Sequence, residues 1–127
     1  MPHLIVEYTD NLEDRIAIQN LLERLNETLR EKDHIFPTGG IRVRAIKLEN
    51  YVIADGTEED AFVHATLKIG PGRSTEEKEE VGKALFEVLT EDFADIHSSS
   101  YLALSLNIEE FPNEGSYKQN NLHKRFK

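Results

Sequence analysis

The second residue of the chain, Pro2, has the means to act as an acid or base. Removal of Met1 would make its nitrogen a secondary amine, whereas the amide nitrogen of a retained Met1–Pro2 bond has no basic lone pair. Burial and nearby cations lower the pKa of an amine toward neutrality, where a general base works best. Pro2 is therefore a candidate general base, although proline also follows Met in many chains simply because small second residues are common.

Three arginines stand in contexts that suit carboxylate binding. Arg42 and Arg44 are two residues apart in GIRVRA, which places them on the same face of a strand, and Arg73 lies in GPGRST just before a helix. A guanidinium group binds a carboxylate through paired hydrogen bonds, and the start of a helix adds partial positive charge. Together they predict a site for a small dicarboxylate. The alternative is that each pairs with an acidic residue on the surface, and Arg44 competes with Arg42 for the same role.

Two histidines are further candidates for proton transfer, because imidazole titrates near neutrality. His3 flanks Pro2 and would tune that base, whereas His64 lies inside an apolar stretch and is more typical of a core or interface residue. The five histidines lack the spacing of metal ligands on a helix, and the chain has no cysteine. We therefore expect no metal site.

The composition argues against several classes of function. The 127 residues suit one domain, and 24 acidic against 15 basic residues give a net charge of -9, which would repel nucleic-acid phosphates. No apolar run approaches the ~20 residues that span a bilayer, and the first residues do not resemble a signal peptide. We expect a cytoplasmic protein that binds neither nucleic acid nor membrane.

The apolar pattern predicts two similar series of strand, helix and strand. The first comprises a strand at 3–8, a helix from Leu12 to about Lys32 and a strand at 41–48. A short extra strand could follow at 51–54. The second series comprises a strand at 61–69, a helix whose start carries the Ser74 and Glu77 capping pattern, and a strand at 101–108 with apolar residues on both faces.

These series indicate an internal duplication with repeats at about 2–50 and 61–110. We predict a single domain over 1–127 of the α/β class, α+β in some schemes, in which duplicated β-α-β units form a mostly parallel four-stranded sheet with both helices on one face. The uncovered face of an apolar sheet needs a partner, so we expect a homo-oligomer. Residues 111–127 are expected to form a polar C-terminal arm that could contact a neighbouring subunit.

Four segments resemble the 5-carboxymethyl-2-hydroxymuconate delta-isomerase family, in the same order and over nearly the whole chain. They are PHLIVEY, FPTGGIRVRA, FVHATLKIGPGRSTEEKEE and YKQNNLHKRFK. That family belongs to the tautomerase superfamily, together with 4-oxalocrotonate tautomerase and macrophage migration inhibitory factor. The shorter GRSTEEKE segment also resembles the start of the helix in 4-oxalocrotonate tautomerase.

The resemblance implies a homo-trimer with a catalytic amino-terminal proline and no metal or organic cofactor. The second repeat begins at Ala61, inside the chain, where no free amine can exist, so we expect one active site per subunit. Carried over by matching motif, the proline is Pro2, and the arginines that bind the substrate carboxylates and polarise the 2-hydroxy or 2-oxo group are Arg42 and Arg73. The implied reaction is a 1,3-proton shift that converts the dienol 5-carboxymethyl-2-hydroxymuconate into a conjugated ketone during homoprotocatechuate (4-hydroxyphenylacetate) degradation.

Two other functions stay open at this point. The same proline could serve another reaction of the superfamily, such as dehalogenation, decarboxylation or tautomerism of a small 2-oxo or 2-hydroxy acid. The chain could also be a trimeric binding protein without turnover, because a fold does not fix a function.

Overall fold

The structure is a computed structural model that describes residues 1–126. Within this part of the chain it has four strands and three α-helices: β1 (His3–Thr9), α1 (Ile18–Glu31), β2 (Arg42–Leu48), β3 (Ala61–Ile69), α2 (Thr75–Asp92), α3 (Ala94–Ser99) and β4 (Leu102–Glu110). Short 3-10 helices lie at Asp10–Leu12, Thr38–Gly40 and Leu122–Phe126. No helix among the described residues combines the length and the apolar character needed to cross a membrane.

The four strands form one sheet in the order β2-β1-β3-β4. β1 runs parallel to β2 and β3 runs parallel to β4, and the two pairs meet along an antiparallel contact between β1 and β3. Each parallel pair is connected through a long helix, because parallel strands need a crossover. The predicted α/β class, with a four-stranded sheet and two principal helices, is confirmed.

The core lies between one face of this sheet and the two long helices. Alternate residues of β1 and β3 are buried, because successive side chains on a strand point to opposite faces. Both long helices contribute residues at intervals of three and four to the same apolar cluster: Leu21, Leu25 and Leu29 from α1, and Val81, Leu85, Val88 and Leu89 from α2. The apolar periodicity of the sequence therefore identified the buried faces of both helices.

The start of α2 has the predicted capping box. The Ser74 hydroxyl accepts a hydrogen bond from the Glu77 N–H at 3.1 Å, and the Glu77 carboxylate accepts one from the Ser74 N–H at 3.0 Å. These two bonds satisfy backbone donors that a helix start otherwise leaves without partners.

Two element predictions are wrong in the first half of the chain. α1 begins at Ile18 rather than Leu12, because the 3-10 helix Asp10–Leu12 turns the chain and brings the Leu12 side chain into the core. Residues 51–54 form a loop rather than a strand. There the Tyr51 hydroxyl donates to Asp10 Oδ1 at 2.8 Å and Ala54 adopts a positive φ of 53°, which is incompatible with an extended strand.

The expectation that β4 has apolar residues on both faces, or nearly so, is correct for the face toward the core and wrong for the other face. Along β4, side chains that pack against the core alternate with exposed ones. The first set is Leu102, Leu104, Leu106 and Ile108, and the second set is Ala103, Ser105, Asn107 and Glu109. The sheet face away from the helices, called the open face below, therefore mixes apolar and polar side chains. At its centre Glu7 lies beside Ile46 and His64, and Ile5 lies beside Arg44 and Thr66.

Candidate active site

One edge of the sheet collects the residues that the sequence singled out. β1 and β2 begin there because they are parallel, and β3 and β4 end there because they run opposite to β1. Pro2 precedes β1, Arg42 opens β2, Arg73 follows β3 and Phe111 follows β4. Residues that are far apart in sequence thus meet at the start of the chain.

Pro2 is buried at this edge. Its carbonyl accepts a hydrogen bond from the Arg42 N–H at 3.0 Å, which ties the first residues to β2. A Cβ atom on Gly40 would lie 3.4 Å from Met1 Cα and 3.5 Å from Pro2 Cδ. The amino terminus therefore lies close to Gly40 at the β2 end of the sheet, at a distance that would just admit a methyl group at this position.

The terminal amine of Met1 has a pKa below its ordinary value of 8.0. Partial burial is the main cause, because removal from water disfavours the charged form. The positive charges of Lys118, Arg73 and Arg42 lower the pKa further, in that order of effect. The amino terminus thus lies in a local field of cations, although the chain as a whole carries a net charge of -9.

Arg73 is held by backbone carbonyls rather than by acidic side chains. Its Nη2 donates to the Ile35 carbonyl at 3.1 Å and its Nη1 donates to the Gly70 carbonyl at 3.3 Å. The guanidinium carbon lies 4.7 Å from the centre of the Phe36 ring, which is fully buried. These contacts fix the position of the guanidinium group without neutralising its charge.

Arg42 and Arg44 occupy the same face of β2, as predicted, but have different surroundings. Arg42 is half-buried, and its Nη1 donates to the Gly39 carbonyl at 3.3 Å. Arg44 is exposed on the open face, where its Nη1 lies 3.0 Å from His3 Nδ1. Within residues 1–126 neither of them, nor Arg73, forms an ion pair with a carboxylate. The structure therefore contradicts the alternative that these three arginines pair with acidic residues on the surface.

The two histidines lie in different places. His3 is next to the amino terminus, and burial together with the charges of Arg44 and Arg42 lowers its pKa below 6.5. His64 lies on the open face of β3, beside Glu7, where its Nδ1 is 2.7 Å from Ser105 Oγ. The structure thus brings His3 to the candidate site and leaves His64 in the middle of the sheet.

A part of the C-terminal arm that was not predicted to belong to the site also reaches it. Asn120 Nδ2 donates to the Gly39 carbonyl at 3.0 Å, and the Lys118 Nζ lies 5.4 Å from the centre of the Phe111 ring. Lys118 is the cation with the largest effect on the Met1 amine. The available signal was a basic residue in the segment YKQNN, which is a weak one because lysines are common on surfaces. The described residues include no group of side chains suited to holding a metal ion.

Comparisons with known proteins agree with this architecture. A family profile described as 5-carboxymethyl-2-hydroxymuconate isomerase (CHMI) matches residues 2–126. The 5-carboxymethyl-2-hydroxymuconate Delta-isomerase of Escherichia coli is 43% identical over 127 residues, which cover 100% of both chains. A crystal structure of a 5-carboxymethyl-2-hydroxymuconate isomerase from Deinococcus radiodurans R1 has a TM-score of 0.95 at 50% identity, covering 99% of this chain and 94% of that chain.

More distant structures share the fold. A fused 4-OT wild-type symmetric trimer has a TM-score of 0.60 at 19% identity and covers 92% of this chain and 93% of that chain. The resemblance inferred from the four sequence segments is confirmed by the profile and by the full-length relative. The chain belongs to the 5-carboxymethyl-2-hydroxymuconate isomerase family and is an isomerase.

Proposed function

We propose that this protein isomerises 5-carboxymethyl-2-hydroxymuconate without a cofactor, with Pro2 as the base and Arg42 and Arg73 as the residues that bind the substrate. The proposal rests on the position of the amino terminus, which is half-buried near Lys118, Arg73 and Arg42. None of these three cations has a carboxylate partner among the described residues. The substrate named for the relatives is an acid with several carboxylates, which such a site would attract.

The chemistry requires a group that takes a proton from the substrate and returns it elsewhere. In the proposed step the Pro2 amine removes the proton of the 2-hydroxyl group, the enol oxygen becomes a carbonyl, and the proline returns the proton to a carbon of the conjugated system. Arg42 and Arg73 stabilise the negative charge that spreads over the dienolate, because guanidinium groups donate two directed hydrogen bonds to an anion. No oxidation or reduction takes place.

Removal of Met1 is a condition of this mechanism. With Met1 present, the nitrogen of Pro2 is part of an amide and cannot accept a proton. Once Met1 is absent, the Pro2 amine takes a place close to that of the present terminal amine, so that burial and the charges of Lys118, Arg73 and Arg42 act on it as well. Its pKa is then lowered toward the pH at which a base is most effective.

The decisive experiment measures the ultraviolet decay of 5-carboxymethyl-2-hydroxymuconate with protein that begins at Pro2. The matched control is the same chain with Met1 retained, verified by intact mass. We expect fast isomerisation by the first sample and at most slow background decay with the second. Equal activity of both samples would rule out the amine as the base, and inactivity of both would rule out this substrate.

We also propose that the protein is a homo-trimer located in the cytoplasm and acting in homoprotocatechuate degradation. The open face supports the oligomer, because Ile46 is 45% exposed there and the same face also carries the half-buried apolar side chains Ile5 on β1 and Phe62 on β3. A related fused protein is described as a symmetric trimer. Sedimentation equilibrium should give about three times the chain mass of 14.6 kDa, and a mass of one chain would contradict the trimer.

A further inference from the structure

A small cavity adjoins the amino terminus. It has a volume of about 320 Å³ and lies between the start of β1, the end of β3 and the C-terminal arm. Its lining includes Met1, the side chains of Arg44 and Lys68, and the arm residues Ser116 and Lys118. Three cationic residues and the amino-terminal residue thus line one cavity.

Among residues 1–126 no acidic residue lines this cavity, although 24 of the 127 residues of the chain are acidic. Glu109 is opposite Lys68 in the register of β3 and β4, but the two side chains form no ion pair. Within the described chain, Arg44 and Lys118 also lack a carboxylate within ion-pair distance. Like charges repel each other unless an anion lies between them, so the arrangement is suited to binding an anion.

The position of Lys118 is supported by contacts on both sides of it in the sequence. Before it in the sequence, the Phe111 ring lies under the Lys118 ammonium group in a cation–π contact, and the Phe111 N–H donates to the Ile69 carbonyl at the end of β3 at 2.9 Å. On the other side, Asn120 donates to the Gly39 carbonyl at 3.0 Å. The arm is therefore attached to the sheet before and after the lysine.

We infer that Lys118, with Lys68 and Arg44, forms a second carboxylate subsite, so that the C-terminal arm selects substrates with a carboxylate remote from the reacting atoms. This inference rests on the proposed function and extends it. Arg42 and Arg73 hold the carboxylate next to the hydroxyl that reacts, and the cavity lined by Lys118, Lys68 and Arg44 accepts the carboxymethyl branch. Lys118 is a residue for specificity, and its loss should affect binding more than the rate of proton transfer.

A binding experiment tests the subsite without turnover. The probes are propane-1,2,3-tricarboxylate and glutarate, each titrated into protein beginning at Pro2 by calorimetry. Lys118→Gln should weaken binding of the tricarboxylate about tenfold or more and that of glutarate less than twofold, because one charge-assisted contact is lost. Lys124→Gln is the matched control, since it removes the same charge from an exposed position of the same arm that does not line the cavity.

Three calorimetric results would overturn the inference. They are an equal loss for both probes in Lys118→Gln, an equal loss for the tricarboxylate in Lys118→Gln and Lys124→Gln, and no measurable binding of the tricarboxylate to the unsubstituted protein. Circular dichroism of both variants would establish that they are folded, which is expected because both side chains are exposed.

A kinetic experiment separates this inference from the proposed function. At a pH high enough to keep the Pro2 amine unprotonated in both proteins, Lys118→Gln should raise KM for 5-carboxymethyl-2-hydroxymuconate about tenfold and leave kcat within about twofold. With 2-hydroxymuconate, which lacks the carboxymethyl branch, KM should hardly change under the same conditions. Turnover with an unaltered preference between the two substrates would refute the subsite and leave the proposed function intact. Absence of turnover in the unsubstituted protein would refute the proposed function, while calorimetry would still decide the subsite.

Discussion

His123 packs directly against Gly39. A Cβ atom at Gly39 would lie 2.8 Å from His123 Nδ1 and 2.9 Å from both the backbone nitrogen and Cα of His123. Two of these three atoms belong to the backbone of the 3-10 helix Leu122–Phe126, so a side-chain rotation could not relieve the contact. The glycine is therefore the place where the C-terminal arm meets the 3-10 helix Thr38–Gly40, just before Arg42.

We predict that Gly39→Ala detaches the C-terminal arm from the sheet. Hydrogen exchange of backbone amides in residues 116–126 should become faster by about tenfold or more, since the methyl group forces the backbone of His123 away. Gly40→Ala is the matched control, because a Cβ atom there meets its nearest neighbours, Met1 and Pro2, at ordinary contact distances of 3.4 Å or more. Unchanged exchange in the arm of Gly39→Ala would show that the arm is not held at this point.

We predict that Arg73→Lys lowers kcat/KM about 100-fold, a loss of about 2.7 kcal/mol of transition-state stabilisation. A lysine ammonium group cannot reach the Ile35 and Gly70 carbonyls together and still present a planar pair of donors to a substrate. The measurement is steady-state isomerisation by protein beginning at Pro2. Arg15→Lys, an exposed exchange far from the site, should keep kcat/KM within about twofold; a similarly small effect of Arg73→Lys would remove Arg73 from the site.

We predict that Arg44→Gln raises the pKa of His3. Burial is the largest cause of the lowered His3 pKa, and its effect should be the same in the variant. The positive charge of Arg44 is the second cause, and the substitution removes it. In addition, Arg44 Nη1 donates a hydrogen bond to His3 Nδ1, and this nitrogen can accept a hydrogen bond only when the imidazole is neutral. An NMR titration of the His3 ring should show a midpoint below 6.5 in the unsubstituted protein and a higher one in Arg44→Gln. Arg15→Gln serves as the control and should leave the midpoint where it is.

The same shift has a consequence for stability. The folded state holds the His3 pKa below the ordinary value, so that between the two values the unfolded chain binds more protons. The contribution of His3 to the free energy of unfolding is therefore present above about pH 6.5 and declines as the pH falls through the folded pKa. Urea unfolding at several pH values should show a smaller decline in Arg44→Gln than in the unsubstituted protein, and an equal decline would contradict this account.

We predict that Ser74→Ala lowers the free energy of unfolding by about 1 kcal/mol, because it removes half of the capping box at the start of α2. Urea unfolding followed by circular dichroism would measure the change. Ser98→Ala is a suitable control, since that hydroxyl only donates to the Asp95 carbonyl in the short helix α3, and its effect should stay within about 0.5 kcal/mol. Equal effects of the two substitutions would show that the capping box adds no more to the free energy of unfolding than the hydrogen bond of Ser98 does.

Local patterns in the sequence were sufficient for most of the secondary structure. The alternation in β1 and β3 and the three-and-four spacing in both helices reflect which side chains face the core, and the Ser74 and Glu77 pair satisfies backbone donors within three residues. The predictions failed where a contact distant in sequence decides the conformation. Leu12 reaches the core from a 3-10 turn, and Tyr51 bonds to Asp10 instead of extending a strand.

For the candidate site as well, the sequence was sufficient to predict the residues but not how they come together. Residue type and sequence context identified Pro2, Arg42, Arg44 and Arg73. A proline directly after Met1, two arginines on one strand face and an arginine just before a capped helix can all be recognised without knowledge of the fold. Their meeting at one edge depends on the antiparallel contact between β1 and β3, which places the starts of β1 and β2 beside the ends of β3 and β4.

The place of Lys118 could be decided only by the tertiary structure. The segment around it has no periodicity, and its position follows from two contacts with parts of the chain that are distant in sequence, Asn120 with Gly39 and Phe111 with the end of β3. The sequence by itself therefore determined the elements and the chemical groups, since these depend on neighbours along the chain. The sheet topology and the return of the arm determined which of those groups share a site, since that depends on packing between distant segments.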